Sequence, residues 1–272
     1  MKYVTSVIPL LLCLCSFSGC TQLEPRWLLR SLPGEYPDVV YFFPTRQKLI
    51  ALTIDDGPDP GVTGPLLDLL ARHDAHATFF FVSDNIAGNE SLVTRAVAEG
   101  HELGNHMTRD EVSANLDPAT FDARLQHAHR VLSEYGPVRW FRPGSGWYNE
   151  DMLDSIRKHG YRLAEASMAP LDARLAWPAA VATYIRYSIE PGSIIVLHTR
   201  KSRGPRTIAT LERVLPNLSK RGFRLVTLTE LANAIQSERK EPDEELQTSA
   251  QPPVADRPAP LNTVELGRRV GM

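Results

Sequence analysis

The chain has 272 residues, of which 43% are hydrophobic and 23% are charged, and its formal net charge is -2. This length can bury one sizeable core and is too short for two large domains. The near-neutral charge lacks the positive excess that nucleic-acid binding requires, so we expect no nucleic-acid partner.

The first twenty residues predict an export signal. Lys2 is followed by an apolar run and then by the small residues Ser18 and Gly19, which is the order found in secretory signal peptides. The run is shorter than the roughly 20 apolar residues of a membrane span. We therefore interpret residues 1–19 as a signal peptide.

The end of this segment, 17-FSGC-20, resembles a bacterial lipobox, with Phe17 where Leu is typical. The resemblance implies a lipid on Cys20 that anchors the protein to a membrane of the bacterial envelope, on the periplasmic side. An ordinary signal peptide and an uncleaved anchor are the alternatives. The other two cysteines, Cys13 and Cys15, lie inside the signal, so no disulfide framework is predicted.

Strands and helices alternate along the middle of the chain, after a proline-rich segment (20–46) that we interpret as a tether. The predicted strands are 49–56, 77–84, 101–106, 139–144, 161–167, 193–199 and 223–229. The predicted helices are 64–74, 90–100, 118–135, 150–159, 179–189 and 206–221. This alternation predicts βαβ units and a parallel sheet.

The fold class is therefore α/β, in a single domain that spans residues 47–236. About seven parallel strands favour a distorted (β/α) barrel, and a doubly wound sheet is the alternative. From Glu238 the composition shifts to charged residues, proline and alanine, and the apolar periodicity stops. We predict that residues 237–272 form a disordered tail.

Ionisable residues stand where four of the predicted strands end. Asp55 and Asp56 follow the first strand, and His106, Arg142 and His198 follow three others. Active sites of parallel α/β folds lie at the carboxyl ends of the strands. The Asp-Gly-Pro sequence taken alone also fits a simple turn, but four such strand ends together favour one site.

These residues resemble the motifs of the polysaccharide deacetylase family, carbohydrate esterase family four. The segment 53-TIDDGP-58 matches the family motif Thr-Phe-Asp-Asp-Gly-Pro in five of six positions. The segments 141-FRP-143 and 193-SIIVLH-198 are similar to later family motifs, in the same order. The resemblance covers about residues 47–236 and implies a distorted barrel, a bound divalent metal and the removal of N-acetyl groups from a polysaccharide.

The resemblance also implies a role for each matched residue. Asp55 corresponds to the general base, which Arg142 orients, and His198 corresponds to the general acid. Asp56 and His106 correspond to metal ligands. Asp172 lies in the remnant of a fourth motif and is assigned as a partner of His198.

The second family motif departs from the pattern at Asp110, where a second histidine is usual. The spacing of four from His106 is kept, and Asp is an ordinary zinc ligand. We expect Asp110 to be a ligand in a harder site, with zinc, cobalt, manganese or iron as the ion. A metal held by Asp56 and His106 with a water molecule, and a degenerate inactive site, are the alternatives.

A second departure follows Arg142, where 144-GSGWY-148 replaces the usual Pro-Tyr-Gly. The family places a backbone oxyanion donor in this segment. The first hypothesis is a metal-dependent deacetylase of an envelope or extracellular amino-sugar polymer. A deformylase of a lipid-linked sugar and a non-catalytic carbohydrate-binding envelope protein are the alternatives.

Overall fold

The computed structural model describes residues 38–168, 172, 176–200 and 202–249. The predicted signal peptide, Cys20 and most of the predicted tether lie outside the described residues. Among the helices in the described part of the chain, none combines the length and the apolar composition needed to cross a membrane.

Eight strands and seven α-helices alternate in the described residues. The strands are β1 (Val39–Val40), β2 (Leu49–Asp55), β3 (Thr78–Phe81), β4 (Glu102–Asn105), β5 (Val138–Phe141), β6 (Arg162–Ala164), β7 (Ile194–His198) and β8 (Arg224–Val226). The helices are α1 (Thr63–Ala71), α2 (Glu90–Ala98), α3 (Pro118–Ser133), α4 (Glu150–Lys158), α5 (Pro178–Ser188), α6 (Arg203–Lys220) and α7 (Leu228–Ser249).

The strands form one parallel sheet in the order β1-β6-β5-β4-β3-β2-β7, with β8 also paired to β2. The strands from β2 to β6 are neighbours in chain order, as in a β/α barrel, whereas a doubly wound sheet reverses direction. Isolated bridges join Phe42 to Ser193 and Met168 to Ile195 across the two edges. The predicted parallel α/β fold is confirmed, although no continuous ladder closes the sheet within the described residues.

Two apolar layers lie on opposite faces of the strands, because successive side chains of a strand alternate. One layer packs the strands against the helices, and in β2 it contains Ile50, Leu52 and Ile54. The other layer fills the space enclosed by the sheet. It contains Leu49, Ala51, Phe80, Trp140, Ala164 and Ile194, together with Leu228, Leu231 and Ile235 of α7. Burial on both faces explains why all seven residues of β2 are buried.

Two helices begin at residues that suit a helix amino terminus. Asp117 precedes α3 and accepts a hydrogen bond from the backbone N–H of Thr120, and Pro118 occupies the first turn. Asn149 caps α4 in the same way. These caps fix where the helices start, and thereby the lengths of the loops that precede them.

The structure differs from the sequence interpretation at both ends of the domain. The two-residue strand β1, which pairs with β6, lies inside the segment 20–46 interpreted as a tether. At the other end, α7 is helical to Ser249 within the predicted disordered tail. Its glutamate, lysine and glutamine residues are good helix formers even without an apolar pattern. Contacts divide the chain into one unit that ends at Gln236 and a second from Ser237.

Candidate active site

The candidate residues lie in the inward register of their strands. Asp55, Arg142 and His198 each stand two or four positions beyond an inward-facing apolar residue of the same strand. His106 is two positions beyond Gly104, where a Cβ atom would collide with the Phe80 ring. The alternation of strand side chains therefore brings all four to one mouth of the barrel.

Asp55 and Arg142 form a buried ion pair. Nη1 of Arg142 donates to Oδ1 of Asp55 at 2.8 Å, and each side chain is only 4% exposed. The same guanidinium donates to the hydroxyl of Thr53 at 2.7 Å and to the carbonyl oxygen of Ala164 at 2.8 Å. Because these contacts hold the guanidinium on several sides, Asp55 is fixed in one orientation.

Asp56 and His106 face each other, with 3.7 Å between Oδ1 of Asp56 and Nε2 of His106. Nδ1 of His106 lies 2.8 Å from the carbonyl oxygen of Arg142, which can only accept, so Nδ1 carries the proton. In the neutral ring the lone pair is therefore on Nε2. Asp56 has a positive φ of 78°, and Asn85 Nδ2 donates to its carbonyl oxygen at 2.9 Å.

The carboxylate of Asp56 is buried and charged. Burial alone would raise the pKa of Asp56, but contact with His106 and its charge outweigh burial and leave the pKa below its ordinary value. Oδ2 of Asp56 is buried and accepts no hydrogen bond. A buried carboxylate oxygen in this state is suited to a cation.

Asp110 completes a cluster with Asp56 and His106, in which one donor atom from each residue lies within 4.8 Å of the others. Two arginines approach the same carboxylates. Arg200 forms an ion pair with Asp110, and Nη1 of Arg203 lies 3.6 Å from Oδ2 of Asp56. The segment after β7 therefore offsets part of the negative charge of the cluster.

The donor set of this cluster fits a divalent metal. Two carboxylate oxygens and one imidazole nitrogen are ordinary ligands of zinc, and the oxygen-rich set also suits manganese. Such an ion would bind Oδ2 of Asp56, which has no hydrogen-bond partner, and the lone pair on Nε2 of His106. The structure brings together the three residues that the sequence predicts as ligands.

His198 and Asp172 form a second pair at the same mouth. Nδ1 of His198 lies 2.9 Å from Oδ1 of Asp172, and the backbone N–H of His198 donates to Oδ2 at 2.9 Å. Burial lowers the pKa of His198, but the hydrogen bond and charge of Asp172, with the charge of Asp55, outweigh burial and raise the pKa. The partner expected from the sequence is therefore in contact with His198.

The turn after β5 is shaped by glycine. A Cβ atom on Gly144 would collide with the carbonyl oxygen of Glu111, so glycine lets the segment after Asp110 pack closely. Gly146 has a φ of 70°, and its N–H donates to the carbonyl oxygen of Pro143 at 3.2 Å. The two segments that depart from the family motifs, 144-GSGWY-148 and the one that contains Asp110, therefore pack against each other.

Sequence reasoning missed three charged residues at the mouth. Arg200 and Arg203 lie in a loop and a helix start whose position relative to β4 no local pattern reveals. Glu165 stands at the carboxyl end of β6. The strand predicted there spans 161–167 and has Glu165 inside it, so the rule that selected Asp55 and His198 did not select Glu165.

Comparison with known proteins identifies the family. A model of the family described as polysaccharide deacetylase matches residues 43–164. A peptidoglycan-N-acetylglucosamine deacetylase from Bacillus cereus is 31% identical over 197 residues, which cover 71% of this chain and 92% of that protein. A chitooligosaccharide deacetylase from a Bradyrhizobium species is 31% identical over 199 residues, covering 68% of this chain and 90% of that protein.

A solved structure agrees with these relatives. The crystal structure of a peptidoglycan N-acetylglucosamine deacetylase superposes with a TM-score of 0.68 and 25% identity, over 75% of this chain and 94% of that chain. The sequence identity extends along most of both proteins, and the family motifs lie together at the strand ends. The chain therefore belongs to the polysaccharide deacetylase family.

Proposed function

We propose that the protein is a metal-dependent hydrolase that removes N-acetyl groups from an amino-sugar polymer of the cell envelope or its surroundings. The observation that carries this proposal is the arrangement of an Asp–Arg pair and a His–Asp pair around one donor cluster. Asp55 with Arg142, and His198 with Asp172, lie at the same mouth as Asp56, His106 and Asp110. A binding protein has no need of an oriented base and an oriented acid.

Asp56, His106 and Asp110 would hold the metal. Bound there, a divalent ion would polarise the acyl carbonyl as a Lewis acid and would lower the pKa of a water molecule. Zinc suits the donor set, and cobalt or manganese are further candidates. Family membership and the donor cluster support this assignment.

Asp55 takes the proton of the attacking water. Its Oδ1 accepts from Arg142, so Oδ2 is the oxygen that can accept a proton. The contacts of Arg142 hold Oδ2 of Asp55 in one orientation. A base that is already oriented lowers the entropic part of the activation free energy. Attack forms the bond between the water oxygen and the acyl carbon, and the carbon–nitrogen bond then breaks.

His198 gives a proton to the leaving amine. Its Nδ1 is bound to Asp172, so Nε2 is the atom available to the substrate. Asp172 raises the pKa of His198 and so favours the protonated ring, which is the state that an acid catalyst needs. Free amine and acetate are the products.

Acetate release tests this proposal directly. The protein is stripped of metal with a chelator and incubated with N-acetylglucosamine oligomers, alone and after adding zinc, cobalt or manganese. We expect release only after metal is added. Failure to release acetate from several acetylated polymers with every metal would overturn the enzyme assignment and favour a carbohydrate-binding role. Formate release from an N-formylated sugar, without acetate release, would favour the deformylase alternative.

Replacing Asp172 by Asn is expected to move the alkaline limit of activity to lower pH. His198 is active when protonated, so the rate falls as pH rises through its pKa, and Asp172 raises that pKa. Loss of this charge should also lower kcat at neutral pH by roughly tenfold, part of the 10²–10⁴-fold that acid–base catalysis contributes. A pH profile of kcat for both proteins checks this. An unchanged alkaline limb would remove Asp172 from the mechanism.

We also propose export of the protein, with a signal peptide at residues 1–19 and a lipid on Cys20. The order of positive, apolar and small residues supports the signal. A lipid anchor would hold the active site at the envelope, beside a polymer substrate. Incorporation of labelled palmitate into the parent protein, and its loss in Cys20→Ser, tests the anchor.

A further inference from the structure

A carboxyl group that none of these steps uses lies beside the active site. Glu165 directly follows β6 and is only 8% exposed. Its Oε1 is buried and makes no hydrogen bond. Buried polar atoms in native proteins nearly always have a hydrogen-bond partner, so we expect a ligand to supply one for this oxygen.

The backbone of Glu165 contacts Arg142, and its carboxyl group is within electrostatic range of the candidate active-site residues. Nη2 of Arg142 lies 3.5 Å from its backbone oxygen, and the charges of Arg142, Asp55 and His106 all act on the carboxyl group. Burial raises the pKa of Glu165 to about 8, against the opposing charge of Arg142. At neutral pH the side chain is therefore mainly a neutral acid, with one O–H donor and one acceptor oxygen.

A glycine borders the carboxyl group of Glu165, and a tyrosine pair is within range of its charge. The hydroxyls of Tyr41 and Tyr148 lie 2.7 Å apart, and Glu165, when ionised, raises the pKa of Tyr41. A Cβ atom on Gly146 would lie 3.6 Å from Oε2 of Glu165. Because Gly146 has no side chain, that residue does not cover Oε2 of Glu165.

We propose that Glu165 is a specificity-determining residue that hydrogen-bonds a hydroxyl group of the sugar whose acyl group is removed. The inference rests on the proposed function. A hydroxyl group both donates and accepts, as a neutral carboxylic acid does. A substrate without that hydroxyl would leave a desolvated acid unpaired, and sites of this kind discriminate strongly against such analogues.

Two variants and two substrates test the inference. Glu165→Leu removes both polar atoms at similar size, and Glu165→Gln keeps one acceptor and one donor in the same shape. The substrates are an N-acetylglucosamine oligomer and 4-nitrophenyl acetate, which carries the acetyl group without a sugar. We expect Glu165→Leu to lower kcat/KM for the oligomer at least tenfold, mainly through KM, and to affect the ester much less. We expect Glu165→Gln to stay within about threefold of the parent on the oligomer.

Equal losses on both substrates, or no loss on either, overturn the inference, because a purely structural role does not distinguish a sugar from an aryl ester. Thermal unfolding is measured for each variant. If Glu165→Leu does not fold, Glu165→Asp, which withdraws the acid by one methylene, provides the same comparison. A parent protein that hydrolyses the ester but releases no acetate from the oligomer overturns the proposed function, and with it the inference.

Discussion

Replacing Asp55 by Asn is expected to lower kcat for acetate release by about 10³-fold, within the range of 10²–10⁴ that a general base contributes. Asparagine keeps the size of the side chain and an oxygen that can accept from Arg142. Its amide group cannot take a proton from water, so the chemistry fails while the fold persists. The measurement is acetate release at saturating substrate and metal, with thermal unfolding on the same preparation.

A matched control is available in the same loop. Asp59 accepts a hydrogen bond from the backbone N–H of Gly61 at 2.8 Å through Oδ1, and an asparagine oxygen can do the same. Asp59→Asn therefore makes the same chemical change outside the site and should retain parental activity. If Asp55→Asn loses no more activity than Asp59→Asn, Asp55 is not the base.

The fold could be predicted because its signals are local. The strands β2 to β8 are short, mostly buried segments separated by helices, and the predicted ranges overlap the observed ones. One site could be predicted for the same reason, since parallel strands end at one edge of a sheet and four of them end at or next to Asp55, His106, Arg142 and His198. The side-chain alternation that turns them inward follows from the strands themselves.

Features that depend on distant contacts could not be predicted. The strand β1 is two residues long and is defined by pairing with β6, whose paired residues lie 124 positions away in sequence. Arg200 and Arg203 reach Asp110 and Asp56 only because β7 lies beside β2 in the sheet. No periodicity in either segment indicates such a contact.

The helix α7 was missed for a different physical reason. Loss of apolar residues after Glu238 indicates that a segment has no core to join, and disorder is the usual result. Helical hydrogen bonds are local, however, and a helix that starts with buried residues, such as Leu228 and Leu231, can continue through good helix formers. The amino-acid composition of a segment predicts its burial more reliably than it predicts its backbone conformation.

Replacing Asp110 by Ala is expected to weaken zinc binding by at least about 100-fold. The reason is that even the groups that merely orient metal ligands are worth 10–100-fold in affinity, and Asp110 is assigned as a ligand itself. Asp110→His restores the nitrogen donor usual in the family at the same position and should retain binding. Asp84→Ala is the matched control, because Asp84 is a partly exposed carboxylate paired with Arg109 at 3.0 Å and is not part of the cluster.

Zinc titration of the metal-stripped protein by calorimetry tests the donor cluster most directly. The parent, Asp110→His and Asp84→Ala should each bind one zinc ion with similar enthalpy curves, while Asp110→Ala should show little heat at the same concentrations. Asp110→Ala that binds zinc as tightly as the parent would contradict the assignment of Asp56, His106 and Asp110 as one metal site.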